Sequence, residues 1–465
     1  MTTLTSSTYA ATRRHPATLA LLVSAQFLVM LDASIVNVAL PSIQSDLGFG
    51  PASITWVVNA YVLAFGGLLL LSGRFADMFG RRRVFVAGSS LFTVGTLLAA
   101  TAGGQEQLLA GRLVQGVGAA ALSPAAMSLL LSAFPGEQRA RAMATWGAAS
   151  ALGGATGVMA GGLLAGSFGW RSVFLVTVPF SCTAAFVARR LLAESALSAA
   201  RRFDVVGAAT VTAAVIALVH GAVDAVDLGW DSPRVLITLA GAVVFAGGFV
   251  AVERRVPDPL VPLELFRSRA LSRGVALAVL GAGARASSFV LVALYFQQAL
   301  AMAPREAGLA MVPTSVAGFA ISMTVLPRLL KAVEPQRLVV VGLVVLAAGH
   351  LWLANVSQHG GYALGVLPGL ILVAAGVALS FTPTTMVVAA SVPEAHAGLA
   401  SGLAATASQV GGALGTATFI VVGLSVADSG SRVLGPAGFS AAFTAAAAVA
   451  LGTAALGARG LFAAR

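Results

Sequence analysis

The chain has 465 residues, of which 58% are hydrophobic and 10% charged, with a mean hydropathy of +0.92. A soluble domain of this size cannot hide so much apolar surface, so the composition excludes a globular cytosolic protein and points to an all-α polytopic membrane protein. The net charge of +11 would suit a nucleic-acid binder only if the basic residues were clustered. They lie between apolar runs instead, and no nucleic-acid partner is expected.

Apolar runs long enough to cross a hydrocarbon core about 30 Å thick recur from end to end. The first, Ala17–Leu40, is too long for a signal-peptide core and no cleavage-site pattern follows it, so it is expected to persist as span one. Spans near 53–73, 84–103, 107–133, 142–165 and 172–188 complete an N-terminal six-helix half over 1–190. Two more, near 205–223 and 235–252, fill a middle stretch over 191–270. An acidic turn, Asp224–Arg234, joins them, and a linker with three prolines, Arg254–Arg273, closes the stretch as an interfacial segment. Spans near 274–298, 307–327, 338–355, 362–388, 397–424 and 438–458 make a C-terminal six-helix half over 271–465, fourteen in all.

Placed with the N-terminus inside, the short inner segments collect the arginines, from Arg13 and Arg14 through Arg201, Arg202 and Arg273 to Arg465. Only Arg171, Arg234, Arg305 and Arg432 fall outside, while Arg112 and Arg285 lie within spans. This bias predicts an even number of spans with both termini cytoplasmic. Lys331 is the sole lysine, a composition that suggests GC-rich coding in a bacterium and hence a bacterial inner membrane. The lone cysteine, Cys182, excludes an intramolecular disulfide and reads as a small core residue.

Three charges sit deep in spans. Asp32 lies within Leu31–Pro41, LDASIVNVALP, where a carboxylate costs about 3 kcal/mol to keep and is by default a functional residue. Arg112 lies about as far from the outer end of span four as Asp32 does from that of span one, roughly 9–12 Å at 1.5 Å per residue. The two could pair across a cavity, and making and breaking that contact would change the proton affinity of the carboxyl. The alternative is a permanent structural ion pair. Arg285 stands at a matching depth in span nine, either as a substrate contact at a site between repeats or as an interhelical anchor. Polar candidates for a cavity are Gln26, Asn37, Asn59, Tyr61, Gln115, Tyr295, Gln297, Gln298 and Gln409, although for any one of them an interhelical hydrogen bond is the more ordinary role. His220 and His350 are isolated in apolar runs and read as structural, so no metal site is expected.

The loop after span two, Gly73–Arg83, reads GRFADMFGRRR. Gly73 and Gly80 permit tight turning, Asp77 can receive a helix N-terminus or an arginine, and Arg81–Arg83 face the cytosol. Small residues at every fourth position, Gly153–Gly157–Gly161, Gly398–Gly402 and Gly411–Gly415, let helices approach closely, as fixed packing or as surfaces that rock between states.

These motifs together resemble the major facilitator superfamily, in its fourteen-span drug:proton antiporter subgroup. Gly73–Arg83 is similar to the cytoplasmic loop signature, with Gly73, Asp77, Gly80, Arg81 and Arg82 as the gate. Leu31–Pro41 and Arg112–Ala120, RLVQGVGAA, resemble the first- and fourth-span motifs, which implies proton coupling through Asp32 and Arg112. Gly154–Gly162, GATGVMAGG, followed by Gly169–Phe174, GWRSVF, resembles the fifth-span antiporter motif; the helix carries Gly153, Gly157, Gly161 and Gly162. The segments Pro259–Arg269 and Gly229–Leu236 also look like that subgroup. The chain departs at two positions: Met78 stands where the loop signature usually has a basic residue, and Val158 where the fifth span usually has proline.

The resemblance implies proton-coupled export of small amphipathic drugs, antibiotics or toxic metabolites by alternating access. Protons and membrane lipids are then the other partners, and the proton gradient the energy source without a cofactor. A nutrient importer or facilitator of the same superfamily, and a membrane-embedded sensor, remain as rivals. No Walker A, HExxH, GxSxG or CxxC pattern occurs, so neither an ATP-driven pump nor an enzyme is expected. The oligomeric state is open, a monomer included.

Overall fold

The computed structural model describes residues 16–50, 53–194, 204–356, 361–393, 396–426 and 434–462. Arg13, Arg14, Arg201, Arg202, Arg432 and Arg465, used above for topology, lie outside the described residues. Among those described there is no strand, and fourteen helices are long and apolar enough to cross a membrane. A lipid-facing backbone must satisfy its own N–H and C=O groups, and continuous helices do so within each span.

In chain order the helices are α1 (Pro16–Leu47), α2 (Ser53–Phe79), α3 (Arg81–Ala100), α4 (Gln105–Ala133), α5 (Gln138–Phe168), α6 (Arg171–Leu191) and α7 (Val205–Leu228). There follow α8 (Pro233–Glu253), α9 (Arg269–Ala299), α10 (Glu306–Ala332), α11 (Pro335–Ala354), α12 (Gly361–Ala390), α13 (Ala397–Ser425) and α14 (Pro436–Arg459). Each of the fourteen expected spans falls on one of them, and the helices mostly run a few residues beyond the apolar stretch into the polar boundary.

Helices α1–α6 pack chiefly on one another, through α3 with α4, α1 with α5 and α2 with α4. Helices α9–α14 do the same, through α11 with α12, α9 with α13 and α11 with α14. The two bundles meet along two seams, α2 against α13 and α5 against α10. Helix α7 packs on both α2 and α13, whereas α8 packs chiefly on α7 and turns Ile237, Val243 and Val244 outward. Asp204 caps α7 by accepting from the Gly207 amide at 2.8 Å. At the same, arginine-rich end of the bundle, Glu253 accepts from the Val261 amide (3.1 Å) and Arg74 donates to the Pro259 carbonyl (3.1 Å). These bonds fix the proline-rich linker against α2 and α8. Cys182 is exposed on α6 rather than in the core, because it points away from the α3 contact made by Ser181.

Candidate functional site

The fourth-span motif explains itself residue by residue. Arg112 and Gln115, one helical turn apart, share a face of α4. Gly116 lies so close to α2 that a Cβ there would come within 2.7 Å of the Tyr61 carbonyl oxygen. Gly118 makes the same allowance for Phe92 on α3. The close approach brings α2 onto the arginine: Arg112 Nε donates to the Val57 carbonyl at 2.9 Å, and the Tyr61 ring lies 4.3 Å beneath the guanidinium.

Asp32 on α1 completes the network. Arg112 Nη1 donates to Asp32 Oδ2 at 2.8 Å and to Gln115 Oε1 at 2.7 Å. Gln115 Nε2 donates to Asp32 Oδ1 at 2.6 Å and to Thr96 Oγ1 at 3.0 Å. Asp32 is 0% exposed and Arg112 1%. Both carboxylate oxygens are therefore occupied, one by a cation and one by an amide, as a buried charge requires. A movement that separated Asp32 from Arg112 would leave each uncompensated in a buried position, the condition under which a proton is taken up or released. The pair lies inside the packing of α1, α2, α3 and α4 and does not face one another across a cavity.

Helix α5 lies on the neighbouring face of α1. Cβ atoms on Gly153, Gly157 and Gly161 would come within 2.6, 2.7 and 2.7 Å of the carbonyl oxygens of Phe27, Leu31 and Ile35. Three glycines four residues apart thus sit on three carbonyls four residues apart, and the stripe brackets Asp32. Gly162 does not belong to it, since its nearest neighbour, Val38, is in ordinary contact at 3.8 Å. Val158 points the other way, toward Gly308 of α10 and the central cavity.

That cavity, about 500 Å³, lies between the bundles and takes walls from α1, α2, α4 and α5 on one side and α9, α10, α12 and α13 on the other. Its surface is largely apolar, with Met30, Phe65, Trp146, Phe289 and Phe381 prominent. Of the residues expected in a cavity, Gln26, Arg285 and Gln409 line it. Gln26 donates to Ser150 Oγ at 2.9 Å and accepts from Ser123 Oγ at 3.3 Å. Arg285 is 4% exposed, and neither Nη1 nor Nη2 has a hydrogen-bond partner among the described residues.

The other expected cavity residues sit elsewhere. Gln115 and Tyr61 are used by the Asp32–Arg112 network. Asn37 is exposed and donates back to the Ala33 carbonyl, and Asn59 is absent from the cavity wall. Tyr295 is buried edge-on against Phe439 at 5.3 Å, and Gln298 accepts from the Leu434 amide at 3.1 Å. Gln297 is exposed. His350 pairs with Ser288 at 2.8 Å in the second bundle, and His220 lies 3.7 Å from Asp224.

At the arginine-rich end, the last turns of α2 reach the other bundle: the segment read as a loop after span two is helical from Gly73 to Phe79, and only Gly80 separates α2 from α3. Asp77 accepts from the amides of Gly398 and Leu399, both at 2.9 Å, at the first turn of α13, and pairs with Arg81 at 3.1 Å. Gly73 permits this by lying directly on the Gly398 carbonyl, and Gly402 packs on the backbone of Leu69 and Leu70. Gly80 takes φ +98, a conformation that favours glycine, and turns the chain into α3. Arg82 does not join Asp77: it lies 3.5 Å from Glu194 and donates to the Leu192 carbonyl. Glu194 went unnoticed in the sequence because nothing in its spacing links it to residues 112 positions earlier. At the opposite end, Trp170 Nε1 and Arg171 Nη1 both donate to Asp46 Oδ2 at 2.9 Å, tying α6 to α1. Asp46 could have been found as the acid closing span one opposite an outer arginine.

Two helical bundles, a shared central cavity and a carboxylate–guanidinium pair buried beside it define a membrane carrier. A sequence model of the Major Facilitator Superfamily matches residues 22–416, and the chain belongs to that family. It is 37% identical to a cephamycin export protein of Amycolatopsis lactamdurans, over 87% of this chain and 84% of that one. It is 38% identical to a puromycin resistance protein of Streptomyces alboniger, over 86% and 80%. It is 36% identical to the multidrug resistance protein Stp of Mycobacterium tuberculosis, over 88% and 75%. Among solved structures, the human organic anion transporter MFSD10 (TETRAN) superposes with a TM-score of 0.69 at 17% identity, covering 96% of this chain and 100% of that one, a likeness of fold alone.

Proposed function

We propose that the protein is a proton-coupled exporter of small amphipathic compounds, antibiotics or toxic metabolites among them, working by alternating access. The observation that carries this reading is the buried Asp32–Arg112–Gln115 network set against the glycine stripe of α5, whose opposite face lines the cavity through Val158. Asp32 is the proton-carrying group, Arg112 its switching partner, and Gly73, Asp77, Gly80 and Arg81 the gate. Substrate enters from the cytoplasm, rocking of the bundles exposes the cavity outside, and a proton taken from outside resets the cycle. The export and resistance functions of the relatives support this direction of transport. The arginine distribution supports a bacterial cytoplasmic membrane with the arginine-rich end inside. As a carrier it performs no covalent chemistry and needs no cofactor beyond the proton gradient.

The test is a substrate screen in everted vesicles with an imposed pH gradient, read by recovery of acridine-type fluorescence. Compound-dependent proton release by the wild type and none by Asp32→Asn is the expected result. Release that is equal in the two, or uptake of compounds in the reverse sense, would overturn the proposal.

A further inference from the structure

The central cavity contains a cation with no acid to balance it; what faces the guanidinium is the Phe381 ring, 6.0 Å from Cζ. Among the residues lining it, Arg285 is the one ionisable side chain, and no acid accompanies it. The carboxylate of Asp32 is no substitute, because its two oxygens are held by Arg112 and Gln115 and it does not reach the cavity wall. The guanidinium folds back over Gly281, where a Cβ would come within 2.7 Å of Nη1, so that glycine makes room for it. Its two terminal nitrogens are buried without a partner, an expensive arrangement for a group with strong hydrogen-bond donors. In the same cavity wall the hydroxyls of Thr314 and Thr382 are also buried without partners. Aromatic faces at Phe289, Phe381 and Trp146 complete the surroundings.

We propose that Arg285 is the anchor of an anion subsite, and that the cavity takes amphipathic monoanions: a carboxylate or phenolate on an aromatic or aliphatic body. The anionic end supplies the acceptors that Arg285 lacks, in the planar two-point geometry that suits a guanidinium, and the body fills the apolar remainder. A cationic compound of the same shape meets a like charge there, with no acid in the lining to offset it. The inference rests on the exporter reading only in taking this cavity as the substrate site; it concerns binding and holds without proton coupling.

Equilibrium dialysis of the detergent-solubilised protein with naphthoate, naphthamide and naphthyl-trimethylammonium tests it. The three probes share a body and differ in charge, so the wild-type comparison needs no variant. Naphthoate is expected to bind at least about tenfold more tightly than naphthamide, the size of effect a charge-assisted hydrogen bond produces, and the cation more weakly than both. Arg285→Gln should erase the naphthoate-to-naphthamide ratio, and Arg285→Lys should keep part of it. Equal affinities in the wild type, preference for the cation, or a ratio unchanged in a folded Arg285→Gln protein would each overturn the subsite. Naphthoate binding without proton release in vesicles would leave the subsite standing and sink the exporter reading. Proton-driven export of neutral compounds, indifferent to Arg285→Gln, would do the reverse.

Discussion

The Asp77 carboxylate accepts a hydrogen bond from the Gly398 amide, 321 residues later in the chain, at 2.9 Å. The last turns of α2 in one bundle are thereby fastened to the first turn of the other bundle's α13, where free N–H groups and the helix dipole both favour an anion. This contact must be broken and remade in any cycle that opens the arginine-rich end.

Asp77→Ala is therefore expected to slow turnover by about tenfold while leaving affinity within about twofold of wild type, since the charge-assisted bonds it removes are worth roughly 1.5–3 kcal/mol and the cavity lies elsewhere. Initial transport rates in vesicles and equilibrium binding in detergent supply the two numbers. Loss of binding in a folded protein would contradict the placement of Asp77 at a gate.

Glu194 offers a contrast at the same end. Its pairs with Arg82 and Arg83, at 3.5 and 3.6 Å, are partly open to solvent. Such pairs contribute about 0–1 kcal/mol, so Glu194→Gln should leave the transport rate within about twofold. A loss matching that of Asp77→Ala would make Glu194 part of the gate.

Asp32→Asn should abolish proton-driven transport, because the amide keeps the shape of the carboxyl and cannot titrate. Arg112→Ala removes the opposite charge and should shift the pH profile of transport more than it reduces membrane insertion. The profiles of the two variants against the wild type, at matched expression, decide this. A full gradient-dependent rate in Asp32→Asn, or an unshifted profile in Arg112→Ala, would return the pair to a purely structural role.

Adjacent glycines on α5 should behave differently. Gly161→Ala places a methyl group within 2.7 Å of the Ile35 carbonyl, whereas Gly162→Ala meets only Val38 at 3.8 Å. Overpacking of this kind costs about 1–3 kcal/mol. Thermal unfolding in detergent should show a lower midpoint for Gly161→Ala and almost no change for Gly162→Ala. Equal shifts would mean that α5 can move away from α1 at no cost.

The fourteen helices were legible because a span announces itself by length and apolarity, needing no knowledge of its neighbours. The meeting of Asp32 and Arg112 was accessible for a related reason: helical rise converts sequence position into depth. Azimuth was the missing coordinate. A helix surrounded by lipid and protein is apolar on every side, so nothing in the pattern shows whether Asn37 faces the cavity or the outside, or whether Gln115 is free for a substrate or already spent on Asp32. Arg82 and Glu194 failed for want of tertiary information, as one lies in the first turn of α3 and the other follows α6, with no repeat between them. The apolar cavity wall, Trp146 and Phe381 included, carries no mark that separates it from ordinary core.

Helix α7 has one more consequence. It stands against α2 and α13, with Ile216 and Thr212 pressed on Gly67, and α8 stands behind it. A compound dissolved in the bilayer that drifts toward this seam meets two layers of helix before it reaches the cavity. Among the described residues, the main packing of α7 and α8 is not on α5 or α10. The added pair thus makes the transporter lopsided toward its lipid surroundings, walled along the flank where α2 meets α13 and uncovered by these two helices along the flank where α5 faces α10.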